Sequence, residues 1–169
     1  MGINVKSEYG GSEAGVVAFS LAVTEIARAC ASTAVTMSVN NMVCEVIQAI
    51  GSEEHKMKYI PKICSGEYPA GGFALTETMA GSDAAAIRTS AVQKGDHFVM
   101  NGLKHFITNG PIADIVITMA VTDRKKGARG GITAFIVEKG TPGFSVGQIH
   151  ETLGDSATLQ SELIFENCL

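Results

Sequence analysis

The sequence predicts an α+β protein in which a helical N-terminal segment is followed by an antiparallel β-barrel domain. Two observations carry that reading. Apolar residues recur at helical spacings up to Gly66, and after Ala70-Gly71-Gly72 the period drops to two. Turns at Gly127, Gly130-Gly131 and Pro142-Gly143 then cut the remainder into short, evenly spaced runs, the pattern of a closed or nearly closed barrel. The boundary divides the chain into residues 1–70, a partial all-helical domain, and residues 71–169, the barrel.

From Ser12 to Gly66 the chain reads as helix. Val16, Phe19, Leu21, Val23 and Ile26 sit among alanines, with Glu25 and Arg28 the charged residues. A helix this apolar is expected to be packed on most sides. Ser32-Thr33 marks a break before a second helix through Val35, Val39, Met42, Val43, Val46 and Ile50, which Gly51 ends. Ser52 reads as the N-cap of a third helix, with Glu53 and Glu54 at its positive end. That helix runs to Cys64 and stops at Gly66, and Pro61 is expected to kink or shorten it.

In the second half, Thr89, Ala91 and Gln93 alternate ahead of Gly95-Asp96, and His97, Val99 and Asn101 follow. Asn101-Gly102 reads as a type I′ hairpin turn. Further strands are expected from Leu103 to Thr108, Asp114 to Thr122, Gly131 to Glu138, Gly143 to Ile149 and Gln160 to Phe165. There is no βαβ alternation, G-x-G-x-x-G or Walker-type loop, which argues against a Rossmann or P-loop fold.

Composition narrows the function. The chain has 169 residues, 46% of them hydrophobic, enough for a core, and a formal net charge of -4. Its local basic run, Arg124-Lys125-Lys126 near Arg129, reads as a solvated hairpin tip, and nucleic-acid binding needs a broader basic face. Cys30, Cys44, Cys64 and Cys168 form no CxxC pair, and His55, His97, His105 and His150 add no metal-ligand spacing. The thiols are expected to be reduced, three of them buried in helical patterns, and Met37, Met42 and Met57 to fill the core. No apolar run is long enough for a membrane span and the N-terminus lacks a secretory layout. The expectation is a soluble intracellular protein.

Two stretches carry chemistry. Phe73 to Ile87 reads FALTETMAGSDAAAI and pairs a hydroxyl-bearing strand end, Leu75-Thr76-Glu77, with a polar turn, Gly81-Ser82-Asp83. His105 to Gly110 reads HFITNG and sets Phe106 two residues before Thr108. Aromatic faces and short hydroxyls at strand ends suit a planar, hydrogen-bonding heterocycle.

In order and separation these stretches resemble the signatures of the acyl-CoA dehydrogenase family, where they form one wall of the flavin site. Glu8-Tyr9-Gly10-Gly11 and the segment from Gly51-Ser52-Glu53-Glu54 to Ser65-Gly66-Glu67 resemble the family's N-terminal helical region. The resemblance covers nearly the whole chain. It implies FAD as cofactor, held by Phe73, Leu75, Thr76, Gly81, Ser82, Phe106, Ile107 and Thr108. Leu75-Thr76 would meet the flavin edge, Phe106 would pack on the ring, and Thr108 would sit at the redox centre. Ser82 would also touch the acyl-CoA. Thr36 and Met37, with Thr33 and Asn40, would close the end of the acyl pocket. Asp83 and Glu77 are expected to cap a turn or pair with a cation, because a carboxylate beside a reduced flavin opposes its charge. His105 is expected at a surface or strand edge without a partner.

The implied activity is α,β-desaturation of an acyl-CoA thioester with hydride transfer to flavin N5. Electrons would pass to an electron-transfer flavoprotein, and the full-length protein would be a homo-oligomer. The compartment would be the cytoplasm in a bacterium or the mitochondrial matrix in a eukaryote. Two positions depart from the family: Thr78-Met79 stands in place of a Pro-containing sequence, and Gly154-Asp155-Ser156 lacks the usual Arg. No carboxylate here matches the family's α-proton base, which the resemblance places in a C-terminal helical domain beyond Leu169. No catalytic residue is therefore assigned, and the chain is expected to be a fragment inactive alone. The alternatives are an acyl-CoA oxidase or flavin monooxygenase on the same scaffold, or a non-catalytic binding or assembly fragment.

Overall fold

In a computed structural model describing residues 1–169, three helices precede a seven-stranded sheet. The helices are α1 (Gly15–Ala29), α2 (Ala31–Ile50) and α3 (Glu53–Ser65). The break between α1 and α2 falls at Cys30, which is extended (φ -154°, ψ 107°), two residues before the expected Ser32-Thr33. Ser32 lies inside the first turn of α2, buried, where its carbonyl accepts from Thr158 Oγ1 at 3.2 Å.

Ser52 caps α3 as expected, its side chain accepting from His55 N at 3.2 Å. Gly66 ends the helix in the left-handed conformation, φ 83°, which costs a residue without Cβ nothing. Pro61 does not stop α3, which continues to Ser65. The missing proline N–H removes one helical bond, while Tyr59, Ile60 and Ile63 bury the face that holds the helix down.

The strands are β1 (Gly71–Ala74), β2 (Ser90–Lys94), β3 (His97–Thr108), β4 (Ile115–Val121), β5 (Ile132–Glu138), β6 (Phe144–Ile149) and β7 (Gln160–Cys168). The expectation of an antiparallel barrel needs correcting. The sheet is mixed, since β1 runs parallel to β4 from Gly71↔Ile115 to Ala74↔Thr118, and β2 meets β4 in parallel at Ser90↔Val121. It is also open, because β5 pairs only with β4, β6 only with β7, and the ring does not close between them. Hydrophobic period reports which face a residue takes but not the direction of its neighbour. The curled sheet is therefore a half-barrel.

Asn101-Gly102 is not a hairpin turn. Both residues lie within the long strand β3, at a register shift against β7 between Met100 and Gly102. The hairpin falls at Gly95-Asp96, between the paired Lys94 and His97, with Gly95 at φ 66° as a two-residue turn requires. A Cβ on Gly102 would collide with Thr89, so the glycine admits a close approach.

Strand β4 separates two cores. Ile115 and Ile117 face the helices and pack with Val43, Ile47, Ile60 and Ile63. Val116 and Ala120, on the opposite face, join Met100, Ile107, Leu163 and Phe165 inside the curl. In contrast, α1 is not packed on most sides. It buries no residue, and Val16, Val17 and Leu21 are 68%, 71% and 63% exposed. Met42 and Met57 are exposed as well, not core filler. Cys44 and Cys168 are buried thiols, whereas Cys30 is exposed at the helix break. No helix is long and apolar enough to cross a membrane.

Candidate functional site

The segment leaving β1 is folded around one buried cation. Lys104 of β3 is 0% exposed, and its ammonium donates to the Leu75 carbonyl at 2.9 Å and to Glu77 Oε1 at 2.8 Å. Glu77 also accepts from the backbone N–H groups of Arg88 (2.7 Å) and Thr89 (2.9 Å). A buried ion pair is sustained when its remaining hydrogen-bonding capacity is filled in this way. Burial alone would push the Glu77 carboxyl up, but the Lys104 ammonium and the N–H donors prevail and hold it below its ordinary value. Burial likewise pulls the Lys104 ammonium down, and Glu77 opposes that pull. Glu77 is thus a structural ion-pair partner, as its charge suggested.

Reciprocal backbone bonds of 3.0 Å between Glu77 and Ala80 pinch Thr78-Met79 into a tip. Asp83 caps the next turn, accepting from Ala85 N at 3.2 Å. Gly81 and Ser82 are exposed between these turns. The strand end is tied to β3 by His105 N–H, which donates to the Thr76 carbonyl at 2.8 Å. The Thr76 N–H itself lies outside every strand and finds no backbone acceptor.

Between Lys104 and Ile107 the β3–β7 register shifts, and this bulge sets the aromatic. Phe106 takes φ 56° and is 60% exposed. A positive φ on a bulky residue is strained and persists only where its surroundings over-determine it. The ring lies 4.7 Å from that of His150 and 5.8 Å from that of His105. His105 is not partnerless, since its Nε2 lies 3.4 Å from Glu162 Oε1. The His150 Nε2 is buried without a hydrogen-bond partner.

Beyond Thr108 the chain is again pinned. Asn109, buried at φ 64°, donates from Nδ2 to the Gly71 carbonyl at 3.0 Å, joining the end of β3 to the start of β1. Asn40 of α2 anchors the same strand from the other side. Its Nδ2 donates to the Pro69 carbonyl at 3.0 Å, and its Oδ1 accepts from Gly71 N at 2.8 Å. Asn40 is therefore occupied by backbone, while Thr36 and Met37, one turn earlier, are half-buried.

The Thr76–His105 bond ties the Thr76 strand end to β3 one residue before Phe106 and three before Thr108. The structure does not bring every predicted residue to them. The Ile107 side chain points into the curl, and the residue is 2% exposed. Phe73 packs toward the helical layer. A cleft of about 410 Å³ lies elsewhere, between α2 and α3 and strands β4 and β5, lined by residues such as Ile50, His55, Tyr59 and Phe135. The motif residues instead occupy an open face. No group of three or more His, Cys, Asp or Glu side chains is placed to hold a metal ion.

Sequence reasoning missed the role of Lys104. The signal was present: a lone lysine on a strand that also contributes Met100 and Ile107 to the core, with Glu77 in the companion motif. His150 and Glu162 left no such signal, because only folding carries them beside β3.

Two family descriptions match this chain: "Acyl-CoA dehydrogenase, N-terminal domain" over residues 1–67 and "Acyl-CoA dehydrogenase, middle domain" over residues 72–168. An acyl-CoA dehydrogenase of Bacillus subtilis is 50% identical over 168 residues, which cover 99% of this chain and 44% of that protein. A chain solved in work on the electron transferring flavoprotein of Acidaminococcus fermentans superposes with a TM-score of 0.94 at 44% identity, covering 99% of this chain and 44% of its own. A glutaryl-CoA dehydrogenase of Mycobacterium smegmatis, solved in complex with FADH2, superposes with a TM-score of 0.92 at 34% identity, covering 99% and 42%. The chain belongs to the acyl-CoA dehydrogenase family. It spans less than half the length of these relatives.

Proposed function

We propose that these residues form the N-terminal helical unit (1–70) and the middle sheet unit (71–169) of an FAD-dependent acyl-CoA dehydrogenase. The observation that carries this reading is the open face on which the exposed, left-handed Phe106 stands beside the Thr76 strand end. The Phe106 ring offers an apolar surface for a flat heterocycle. The free Thr76 N–H and the Thr76 and Thr108 hydroxyls offer donors to its polar edge and redox centre. Leu75 shapes the wall, Phe73 and Ile107 support it from the helical layer and the curl, and Gly81-Ser82 meets the cofactor from the exposed turn, with Ser82 also reaching the acyl-CoA. Thr36 and Met37 close the acyl pocket. When bound, FAD accepts the hydride from the β-carbon of the acyl thioester.

This chain's contribution is to bind and orient, and to donate hydrogen bonds where charge develops on the reduced ring. Its nearest carboxylates are committed elsewhere, Glu77 to Lys104, Asp83 to a turn and Glu162 to His105. The family resemblance, not these residues, assigns the base that takes the α-proton, and it places that base in the family's C-terminal helical domain. Electrons leave to an electron-transfer flavoprotein, and the whole protein is a homo-oligomer of the bacterial cytoplasm or the mitochondrial matrix.

The test is a visible absorption spectrum of the chain after incubation with FAD and desalting. A retained flavin band, bleached when a longer protein containing this chain meets acyl-CoA, supports the reading. A longer protein that stays colourless after the same treatment sinks it.

A further inference from the structure

We infer that Lys104 is a positioning residue that orients and polarises the Leu75–Thr76 peptide, so that the Thr76 N–H becomes a strengthened donor to bound flavin. The inference rests on reading this face as a flavin wall. The two groups of a trans peptide point in opposite directions. With the Leu75 carbonyl held by the ammonium at 2.9 Å, the Thr76 N–H of the same peptide must point away from Lys104. It finds no backbone acceptor there.

Three constraints lock that orientation. The Thr76 carbonyl accepts from His105 N at 2.8 Å, which prevents the next peptide from rotating. Glu77, one residue on, is fixed to Lys104, Arg88 N and Thr89 N. Lys104 is itself wholly buried, so no water competes for its donors. A charged donor on a carbonyl in low dielectric also draws electron density from the peptide and strengthens the N–H on its other side. The ammonium thus acts on a ligand it does not touch.

Lys104→Met alone leaves a half-buried carboxylate without its cation and destabilises the chain. The decisive variant is the neutral pair K104M/E77Q in the full chain, with two readouts. The first is the Leu75 carbonyl carbon and Thr76 amide resonances without FAD. The second is FAD affinity by flavin fluorescence titration. Both resonances are expected to move upfield while those of Val43, Ile60 and Val116 hold, and FAD affinity is expected to fall about tenfold, one charge-assisted hydrogen bond.

Unmoved Leu75 and Thr76 resonances, or FAD binding as tight as in the unaltered chain, overturn the role. Should K104M/E77Q not fold, the unaltered chain still decides. Added FAD must shift the Thr76 amide more than its neighbours in residues 71–80, and an unmoved Thr76 overturns the inference. Resonances that respond to the substitutions in a longer protein that contains this chain and takes up no FAD have a distinct meaning. They uphold the polarised peptide, sink the flavin reading, and overturn the ligand assigned to the Thr76 N–H.

Discussion

At residue scale, Lys104 and Glu77 show how one buried charge pair fixes a loop. The Glu77 carboxyl is held below its ordinary value of about 4.5. A depressed carboxyl stabilises the fold in full above its unfolded value, and that contribution is lost as pH falls through the folded one. Other depressed carboxylates, among them Glu13, Glu53 and Glu138, titrate over the same acid range. The informative quantity is therefore a difference. In urea titrations from pH 7 downward, the unaltered chain should lose stability below pH 4.5 more steeply than Glu77→Gln. Equal slopes would mean that Glu77 is not an ionised partner. The single substitution Lys104→Met should cost about 3–5 kcal/mol at neutral pH, because it strands Glu77, and a loss under about 1 kcal/mol would mark the pair as solvated.

At the scale of elements, the caps and glycines make graded predictions. Ser52→Ala removes the acceptor for His55 N and should cost about 1 kcal/mol, read from the thermal midpoint. Gly102→Ala should cost more, about 1–3 kcal/mol, because its methyl would meet Thr89 where β3 crosses the end of the 77–89 loop. That glycine also explains why Asn101-Gly102 misled as a hairpin signal. The dipeptide satisfies the local turn rule, but Gly95-Asp96 satisfies it too, and the ladder of β2 on β3 places the turn at the latter. Local chemistry listed two turns, and pairing chose one. A Gly102→Ala variant as stable as the unaltered chain would show that Thr89 yields without cost.

For the whole molecule, the notable surface is α1. It packs mainly against α2, and Val16, Val17 and Leu21 project into solvent. Apolar side chains grouped on one helix are a liability for a monomer. Sedimentation of the chain should show concentration-dependent association, abolished when these three residues are replaced by Gln. A chain that stays monomeric at high concentration would remove α1 as the contact. The open edges of β5 and β6 give a second route to association, so persistence of the oligomer in the Gln variant would point to the sheet.

The sequence by itself determined the helices from their spacing, the cap at Ser52, the change of period after Gly72, and the motif residues from Phe73 to Thr108. These features are local, and propensity, turn chemistry and period report them directly. The tertiary structure decided the rest. The parallel pairing of β1 with β4 and the open edge depend on which strands meet, which alternation does not encode. The inward Ile107 and outward Phe106 depend on a bulge against β7, and one shifted residue reverses every later side chain. The Lys104–Glu77 pair joins residues 27 positions apart, and only the curl of the sheet, which buries the Lys104 ammonium beside Glu77, turns two scattered charges into the clamp on Leu75.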